Sequence, residues 1–215
     1  FAERLRVHKV KAHVVAEDLA SPGGAQRVVE RVQALGLAVD ILVNNAGFGL
    51  FGQALALDRA QQLEMIAVNI RALTDLSLRF SDSLIRHRGG LLNVASIAAF
   101  LPGPGMAVYY ASKAYVLSFS EALHNELGRH GVRVTALCPG PVPTEFQARA
   151  GLTAGLDSAV LNVAADKVAL AGYRGLMRGR RVVLPGLGVR AIPLLLRFVP
   201  RGLVLAAVGR IQRRR

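Results

Sequence analysis

Residues 89–113 read GGLLNVASIAAFLPGPGMAVYYASK, and this stretch determines the predicted fold class. The apolar run at 90–95 predicts a buried strand, and the pattern from Tyr109 onward predicts a helix that ends near residue 129. A strand followed by a longer helix is the repeating unit of a parallel sheet. The stretch therefore predicts an α/β protein.

The same alternation of strand and helix extends to both sides of this stretch. Because it repeats, it predicts a Rossmann-like, doubly wound parallel sheet with helices on both faces. Asp58 is the predicted N-cap of one helix, and Gly131 and Gly179 lie where two others should end. The predicted strands are residues 10–16, 40–45, 90–95, 132–138 and 181–184, and the predicted helices are residues 24–36, 58–87, 109–129 and 165–178.

Length and charge indicate one domain with a basic tail. A chain of 215 residues that is 52% hydrophobic can bury one sizeable core. We predict a domain at residues 1–190 and a basic, apolar tail at residues 191–215. The net charge is +13, but residues 167–215 contain twelve Lys and Arg and no Asp or Glu. A nucleic-acid reader places its basic residues on its folded body, so nucleic acid is not a predicted partner.

Cysteine and histidine positions limit the compartment and the metal content. A single cysteine, Cys138, excludes an internal disulfide and favours a reducing, cytoplasmic location. Its place in a predicted strand favours a buried residue over a nucleophile. The histidines show no metal-ligand spacing with Cys138 or with each other, so no metal site is predicted. They are residues 8, 13, 87, 124 and 130.

Tyr109 and Lys113 are four residues apart and therefore share one face of the predicted helix. A neighbouring ammonium favours the phenolate, so Lys113 is predicted to lower the pKa of Tyr109 and make it a usable general acid. Ser96, at a strand end, can donate to an oxygen that gains negative charge. Tyr110 and Ser112 are competitors by residue type, and a solvated helix pair is the alternative interpretation of the Tyr-x-x-x-Lys spacing.

Together with motifs on either side, this spacing resembles the short-chain dehydrogenase/reductase family, classical type. The resemblance implies an oxidoreductase that transfers a hydride between a nicotinamide cofactor and a carbonyl or alcohol. The motifs, in the order of the family, are Asn-Asn-Ala-Gly at 44–47, Val-Asn-Ile at 68–70, Leu-Leu-Asn-Val-Ala-Ser at 91–96, Tyr-Tyr-Ala-Ser-Lys at 109–113 and Pro-Gly-Pro-Val-Pro-Thr at 139–144.

The resemblance also implies a catalytic role for four residues. Tyr109 corresponds to the acid/base, and Lys113 to the residue that lowers its pKa and holds the nicotinamide ribose. Ser96 corresponds to the residue that orients the substrate carbonyl. Asn69 corresponds to the residue that anchors a water in the proton relay, and a polar residue at a helix irregularity is its alternative interpretation.

Cofactor contacts follow from the same resemblance. Asp18 resembles the residue that contacts the adenine, with a helix cap as the alternative, and residues 139–144 resemble the segment that fixes the nicotinamide. The resemblance to members with basic tails favours NADP(H) over NAD(H). The implied cofactor residues are Asp18, Asn44, Ala46, Gly47, Tyr109, Lys113, Pro139, Gly140, Val142 and Thr144.

The glycine-rich phosphate turn of the family, Thr-Gly-x-x-x-Gly-x-Gly, does not occur in the sequence. The chain begins with Phe1, and residues 1–9 resemble the end of a helix, so we expect the N-terminal βαβ portion to be missing and this chain alone to be inactive. Residues 47–52 match Gly-x-Gly-x-x-Gly, but no helix is predicted at the third glycine. A similar match at 186–191 meets Pro193, and both segments are predicted to be loops.

Apolar residues near the catalytic set predict a hydrophobic carbonyl or alcohol substrate, with simple packing of a lid as the alternative. They lie at 97–106 and 145–161 and include Phe146, Leu152, Leu156 and Leu161.

Partners are predicted from the family and from the tail. The helices at 58–87 and 109–129 resemble those that the family uses for dimer contacts, so a homodimer or homotetramer is expected. Residues 191–215 predict peripheral contact with an anionic membrane surface, with a dimer arm or a disordered tail as alternatives. The alternative to an enzyme is a catalytically silent fragment that serves as a binding or membrane-associated module.

Overall fold

A computed structural model of the chain describes Leu5, residues 8–151 and residues 163–212. Parallel strands form the centre of this described part, in the order β1-β2-β3-β4. Asn44 is in register with Asn93, and Val94 with Leu137, so the carboxyl ends of the strands meet along one edge. The strands are β1 (Ile41–Asn44), β2 (Gly90–Val94), β3 (Arg133–Leu137) and β4 (Val182–Val183).

Helices connect the strands and cover both faces of the sheet. The segment between β1 and β2 is one irregular helical stretch with a π-helical turn at Ala67–Ala72, and a short 3-10 helix follows β2 at Ile97–Phe100. The α-helices are α1 (Gly24–Ala34), α2 (Arg59–Ile66), α3 (Leu73–Arg79), α4 (Ser81–Arg86), α5 (Ala107–Gly128), α6 (Glu145–Arg149), α7 (Ala165–Met177), α8 (Leu187–Leu196) and α9 (Arg201–Gln212).

The core lies on both sides of β2 and β3 because successive strand residues point to opposite faces. On one face, Leu91 and Val134 pack in a buried cluster with Leu123 of α5. On the other, Leu92 packs in a cluster with Leu176 of α7. The buried, near-continuous apolar strands confirm the prediction of a parallel sheet between two helical layers.

Local sequence signals place several of the boundaries. The backbone N–H of Gln61 donates to the Asp58 side chain over 2.8 Å, so Asp58 is the N-cap of α2 as predicted. Gly131 and Gly179 follow α5 and α7 with φ of +79° and +64°, a left-handed conformation that ends helices and favours glycine. At Gly89, any side chain would overlap the carbonyl oxygen of Asp40.

Residues 10–16 do not form the predicted strand. Val14 is 78% exposed, and β1 lies at the edge of the sheet with only β2 as its described neighbour. A strand is stable only when it hydrogen-bonds to another strand, and no described strand lies beyond β1 to pair with this segment.

The predicted loop at 186–191 is also wrong, because α8 begins at Leu187, directly after Gly186. Pro193 lies inside this helix, where we had expected it to prevent one. The backbone N–H of Arg190 donates to the carbonyl of Gly186, so the first turn forms before the proline is reached. The other segment, residues 47–52, is a loop as predicted.

Candidate active site

The ends of β1, β2 and β3 and the helices beyond them surround a cavity of about 650 Å³. Ligands of open α/β sheets bind at the carboxyl ends of the strands, which is where this cavity lies. Three residues of the predicted catalytic set line it, and apolar side chains of the 3-10 helix and the loop before α5 form part of its wall. The catalytic residues on the cavity are Ser96, Tyr109 and Lys113, and Ile97, Leu101 and Met106 belong to its apolar wall.

Tyr109 lies in the first turn of α5 with its ring buried against apolar neighbours. Its ring centroid is 5.3 Å from that of Phe146, and Met106 belongs to the same buried cluster. Burial raises the pKa of Tyr109 to about 12, while a hydrogen bond from Ser96 acts in the opposite direction and the adjacent Tyr110 adds to the rise. Tyr109 is therefore protonated at neutral pH and can act as an acid.

The sequence predicted that Lys113 lowers the pKa of Tyr109, and the structure does not show this effect. The Lys113 ammonium donates to the carbonyl of Val94 over 2.8 Å and lies 5.8 Å from the centre of the Tyr109 ring. Burial lowers the pKa of Lys113 itself to about 8, and Cys138 opposes that change. Desolvation is the largest influence on both pKa values because both side chains are almost fully buried.

Ser96 follows β2 and caps the 3-10 helix. Its hydroxyl oxygen accepts from the backbone N–H of Ala98 over 3.1 Å. Its one hydroxyl hydrogen bonds to Tyr109 and can turn from there to a bound molecule. Only 9% of Ser96 is exposed, and it faces the cavity together with Tyr109. The pair can donate two hydrogen bonds to one oxygen of a bound molecule.

Asn69 lies in the π-helical turn and hydrogen-bonds to protein atoms through both ends of its side-chain amide. Its side-chain oxygen accepts from the N–H of Phe48 over 3.1 Å, and its NH₂ donates to the Phe48 carbonyl and to the Ser112 hydroxyl. Ser112 in turn donates to the carbonyl of Tyr109. Asn69 therefore ties the loop after β1 to the helix that holds Tyr109, and π-helical turns of this kind are frequent at functional sites.

Gly47 lies where this loop passes closest to the catalytic side chains. A Cβ at this position would lie 2.9 Å from the Asn69 side-chain oxygen and 3.5 Å from the Lys113 nitrogen. Only a glycine leaves that space open, both for Asn69 and for a ligand beside Lys113.

Gly47→Ala is expected to destabilise the fold by about 1 to 3 kcal/mol, because the new methyl group pushes against the buried Asn69 amide. Urea unfolding measures the change. Gly128→Ala is the matched control: no heavy atom lies within 4 Å of its added Cβ, so it should leave stability unchanged or raise it. Equal effects of the two substitutions would contradict the close packing at Gly47.

The cofactor residues implied by the resemblance lie on two adjacent cavities. Asn44 and Ala46 line a smaller cavity of about 250 Å³, together with Glu17 and Leu19 on either side of Asp18. Asn45 lines both cavities, so they adjoin at the end of β1. The larger cavity holds the others: Gly47, Tyr109, Lys113, Pro139, Gly140, Val142 and Thr144.

Asp18 lies in an exposed turn before α1. Its carboxylate accepts from the N–H of Ala20 over 2.9 Å, and its carbonyl accepts from the Ser21 hydroxyl. It does not cap a helix, and its role at the adenine stays a prediction.

A buried polar network behind the site was not predicted from the sequence. The NH₂ of Asn44 donates to Asn93 and to Ser77 over 2.9 Å each, and Asn93 donates to Ser120. These residues join β1, β2 and two helices. Two asparagines in register on neighbouring strands are the signal that could have indicated it, but the serines come from distant parts of the chain.

Cys138, directly after β3, is buried as predicted, and burial raises its pKa to about 12. Phe146 lines the larger cavity, as predicted for the substrate segment. Leu152, Leu156 and Leu161 lie outside the described residues.

A parallel α/β sheet with a ligand-sized cavity at its carboxyl edge places the protein in the Rossmann-like class. The chain belongs to the short-chain dehydrogenase family, because the model of that family, described as short chain dehydrogenase, matches residues 1–154. The fold class and the family predicted from the motifs are thereby confirmed.

Two curated relatives support the assignment to this family. The chain is 36% identical over 141 residues to sulfoacetaldehyde reductase 2 of Chromohalobacter salexigens, a match that covers 64% of this chain and 56% of the relative. It is 35% identical over 139 residues to a probable oxidoreductase, EphD, of Mycobacterium tuberculosis, covering 64% of this chain and 24% of that protein. The chain thus spans between about a quarter and about half the length of these curated relatives.

A solved structure extends the likeness to most of the described fold. A short-chain dehydrogenase from Sphingobium yanoikuyae in complex with NADPH is 31% identical and superposes with a TM-score of 0.79, covering 94% of this chain and 79% of the other. The agreement includes the region after residue 154, where the family model ends.

Proposed function

We propose that the protein reduces an apolar ketone, or oxidises the matching alcohol, with NADP(H) as the redox cofactor. One observation supports this most directly: Ser96, Tyr109 and Lys113 face a single cavity whose wall is largely apolar. This combination supplies an acid, a second donor and a cation beside a site for a hydrophobic molecule.

The cofactor, when bound, supplies or accepts the hydride. Tyr109 gives its proton to the substrate oxygen, and Ser96 donates a second hydrogen bond that stabilises the developing charge. Lys113 has three N–H donors, of which one goes to Val94, and it would hold the ribose of the cofactor. Asn69 keeps the Gly47 loop and α5 at a fixed distance, and its contact with a relay water stays part of the proposal.

The two adjoining cavities suit the two ends of a dinucleotide. The larger one contains Lys113 and the Pro139–Thr144 segment, which fits the nicotinamide end, and the open space at Gly47 fits a ligand group beside Lys113. The smaller one contains Asn44, Ala46 and the neighbours of Asp18, which suits the adenosine end. The NADPH complex of the Sphingobium relative favours NADP(H) for this protein.

An absorbance assay tests the function and the cofactor together. Because this chain alone is expected to be inactive, the assay uses the full-length protein with the glycine-rich phosphate turn. Oxidation of NADPH or NADH is followed at saturating 4-phenylbutan-2-one, and kcat/KM is compared for the two cofactors. A ketone-dependent rate with a preference for NADPH is expected. A rate only with NADH contradicts the cofactor choice, and no ketone-dependent rate with either contradicts the enzyme and favours the silent binding module.

The tail supports a second proposal, that the cytoplasmic protein contacts an anionic membrane surface through α8 and α9. Leu195 is 63% exposed and Phe198 is 87% exposed, and Arg197 and Arg201 lie beside them on the surface. Exposed apolar side chains among arginines are typical of interfacial segments. No helix among the described residues is long and apolar enough to span a bilayer.

Vesicle cosedimentation tests the membrane contact. Binding to phosphatidylglycerol vesicles is expected to exceed binding to phosphatidylcholine, and the double substitution Leu195→Asp and Phe198→Asp should abolish it. Unchanged binding in that variant contradicts the proposal. Sedimentation equilibrium of the same variant tests whether the expected dimer or tetramer depends on these side chains instead.

A further inference from the structure

The last helix of the described chain forms part of the wall of the larger cavity. Val208, Ile211 and Gln212 of α9 line it, together with Ile192 of α8. Three of these four side chains are apolar. Gln212 is the exception, and it brings an amide to the wall of a hydrophobic site.

The Gln212 side chain is buried but only partly hydrogen-bonded. It is 7% exposed, and its NH₂ donates to the Tyr110 hydroxyl over 3.3 Å. Its carbonyl oxygen has no hydrogen-bond partner, and it is the one buried side-chain polar atom in that state among the described residues. A buried acceptor without a donor lowers the stability of the fold by roughly 1 to 3 kcal/mol. An unpaired acceptor in a folded protein therefore needs an explanation.

Gln212 lies beside the turn before α5. A Cβ built on Gly105 in this turn would lie 3.5 Å from the Cβ of Gln212, an ordinary van der Waals distance. Gly105 has a φ of +83°, a left-handed conformation that favours glycine. The hydrogen bond to Tyr110 holds the amide beside the residue next to the acid Tyr109.

We infer that the Gln212 carbonyl oxygen accepts a hydrogen bond from the substrate, and that this protein therefore selects apolar ketones that have a hydroxyl group away from the reacting carbonyl. The inference rests on the proposed function, since it concerns the same cavity. A site built to hydrogen-bond a substrate hydroxyl rejects the analogue without it, because the buried protein group is then left unpaired. Gln212 is a specificity-determining residue in this proposal.

Equilibrium binding to the intact chain, measured by calorimetry without turnover, tests the inference. The probes are 4-(4-hydroxyphenyl)butan-2-one, 4-phenylbutan-2-one and the 4-methoxyphenyl analogue, with 4-hydroxyacetophenone and acetophenone as a shorter pair. In at least one pair the hydroxylated ketone is expected to bind about tenfold more tightly. The methoxy analogue, which accepts but cannot donate, should bind no better than the unsubstituted ketone.

Gln212→Met removes the acceptor while keeping the length of the side chain. In this variant the ratio of the two dissociation constants should fall to about one, since methionine offers no strong acceptor. Leu203→Met is the matched control, because Leu203 lies on the same helix with its side chain 63% exposed, and it should leave the ratio as in the wild type.

Two results would overturn the assignment: a hydroxyl preference that survives in Gln212→Met, or a wild-type chain that shows no preference or prefers the methoxy ketone. Failure of the proposed function looks different. In that case the binding preference is present and depends on Gln212, yet no ketone is reduced in the absorbance assay.

Discussion

Tyr109→Phe is expected to lower kcat for ketone reduction by about 10²- to 10⁴-fold, the range typical of a lost general acid. The phenol proton is the group that the substrate oxygen needs, and the other hydroxyl at the site, that of Ser96, is the second donor rather than the acid. KM should change much less, because the ring and its contact with Phe146 remain.

The raised pKa of Tyr109 determines the pH range over which the loss in kcat is expected. With a pKa of about 12, Tyr109 is protonated throughout the neutral and mildly alkaline range in the chain without ligands. Loss of the acid should therefore lower kcat at every pH between about 6 and 9, with no pH at which the variant recovers.

Tyr115→Phe is the control for this measurement. Tyr115 lies on the same helix, where its hydroxyl is paired with Thr74 and its ring stacks on Phe119 at 5.7 Å, away from the cavity. It should keep the wild-type rate. If Tyr109→Phe also stays within about threefold of wild type, Tyr109 is not the acid and the proposed mechanism is wrong.

The elements that the sequence predicted correctly are those determined by interactions between residues close in the chain. The strands at 90–95 and 132–138 and the helix at 109–129 were predicted closely, because burial on both faces and local end signals determine them. Tyr109, Lys113 and Ser96 meet at one cavity for a related reason, since parallel strands bring their carboxyl ends to the same edge.

What the sequence did not indicate depends on distant neighbours. Residues 10–16 have the composition of a strand, but pairing requires a partner strand that the described fold does not place beside them. Gln212 meets Tyr110 across 102 positions of sequence, and nothing in the basic, apolar tail marks it as part of the cavity wall. Residues 191–215 were predicted to be a separate tail, a division that stays a prediction, and α8 spans its boundary.

The pKa of Tyr109 differs from its prediction for another reason. The i, i+4 spacing brings Lys113 near Tyr109, but spacing alone does not show that the ammonium is directed to the carbonyl of Val94. Nor does it show how deeply both groups are buried. Desolvation acts on each side chain separately, and it pushes the two pKa values in opposite directions.

Lys113→Met is expected to change the pH dependence of folding stability. The pKa of Lys113 is about 8 in the fold against an ordinary value of 10.5, so between these values the unfolded chain binds a proton that the folded chain does not. Wild-type stability should therefore rise with pH in this window. Below pH 8 the buried charge opposes folding by roughly 3 kcal/mol, at about 1.4 kcal/mol per pKa unit.

Methionine removes the cost of burying the Lys113 charge. It also removes the hydrogen bond to Val94, which contributes about 1 kcal/mol or more to stability. At pH 7 the variant should therefore equal or exceed the wild type in free energy of unfolding while losing ketone reduction. As the pH rises to 10, the wild type should gain about 2 kcal/mol relative to the variant. Urea unfolding at pH 7 and pH 10 measures both values.

Lys167→Met supplies the control, because Lys167 is exposed in the first turns of α7. Its substitution should leave the difference between the two pH values as in the wild type. If Lys113→Met behaves in the same way, the Lys113 ammonium is not desolvated. The alternative result is that the pH-dependent difference in stability appears and ketone reduction is lost. Lys113 then lowers the stability of the fold while supplying the cation that the proposed reaction needs, as expected for a functional residue.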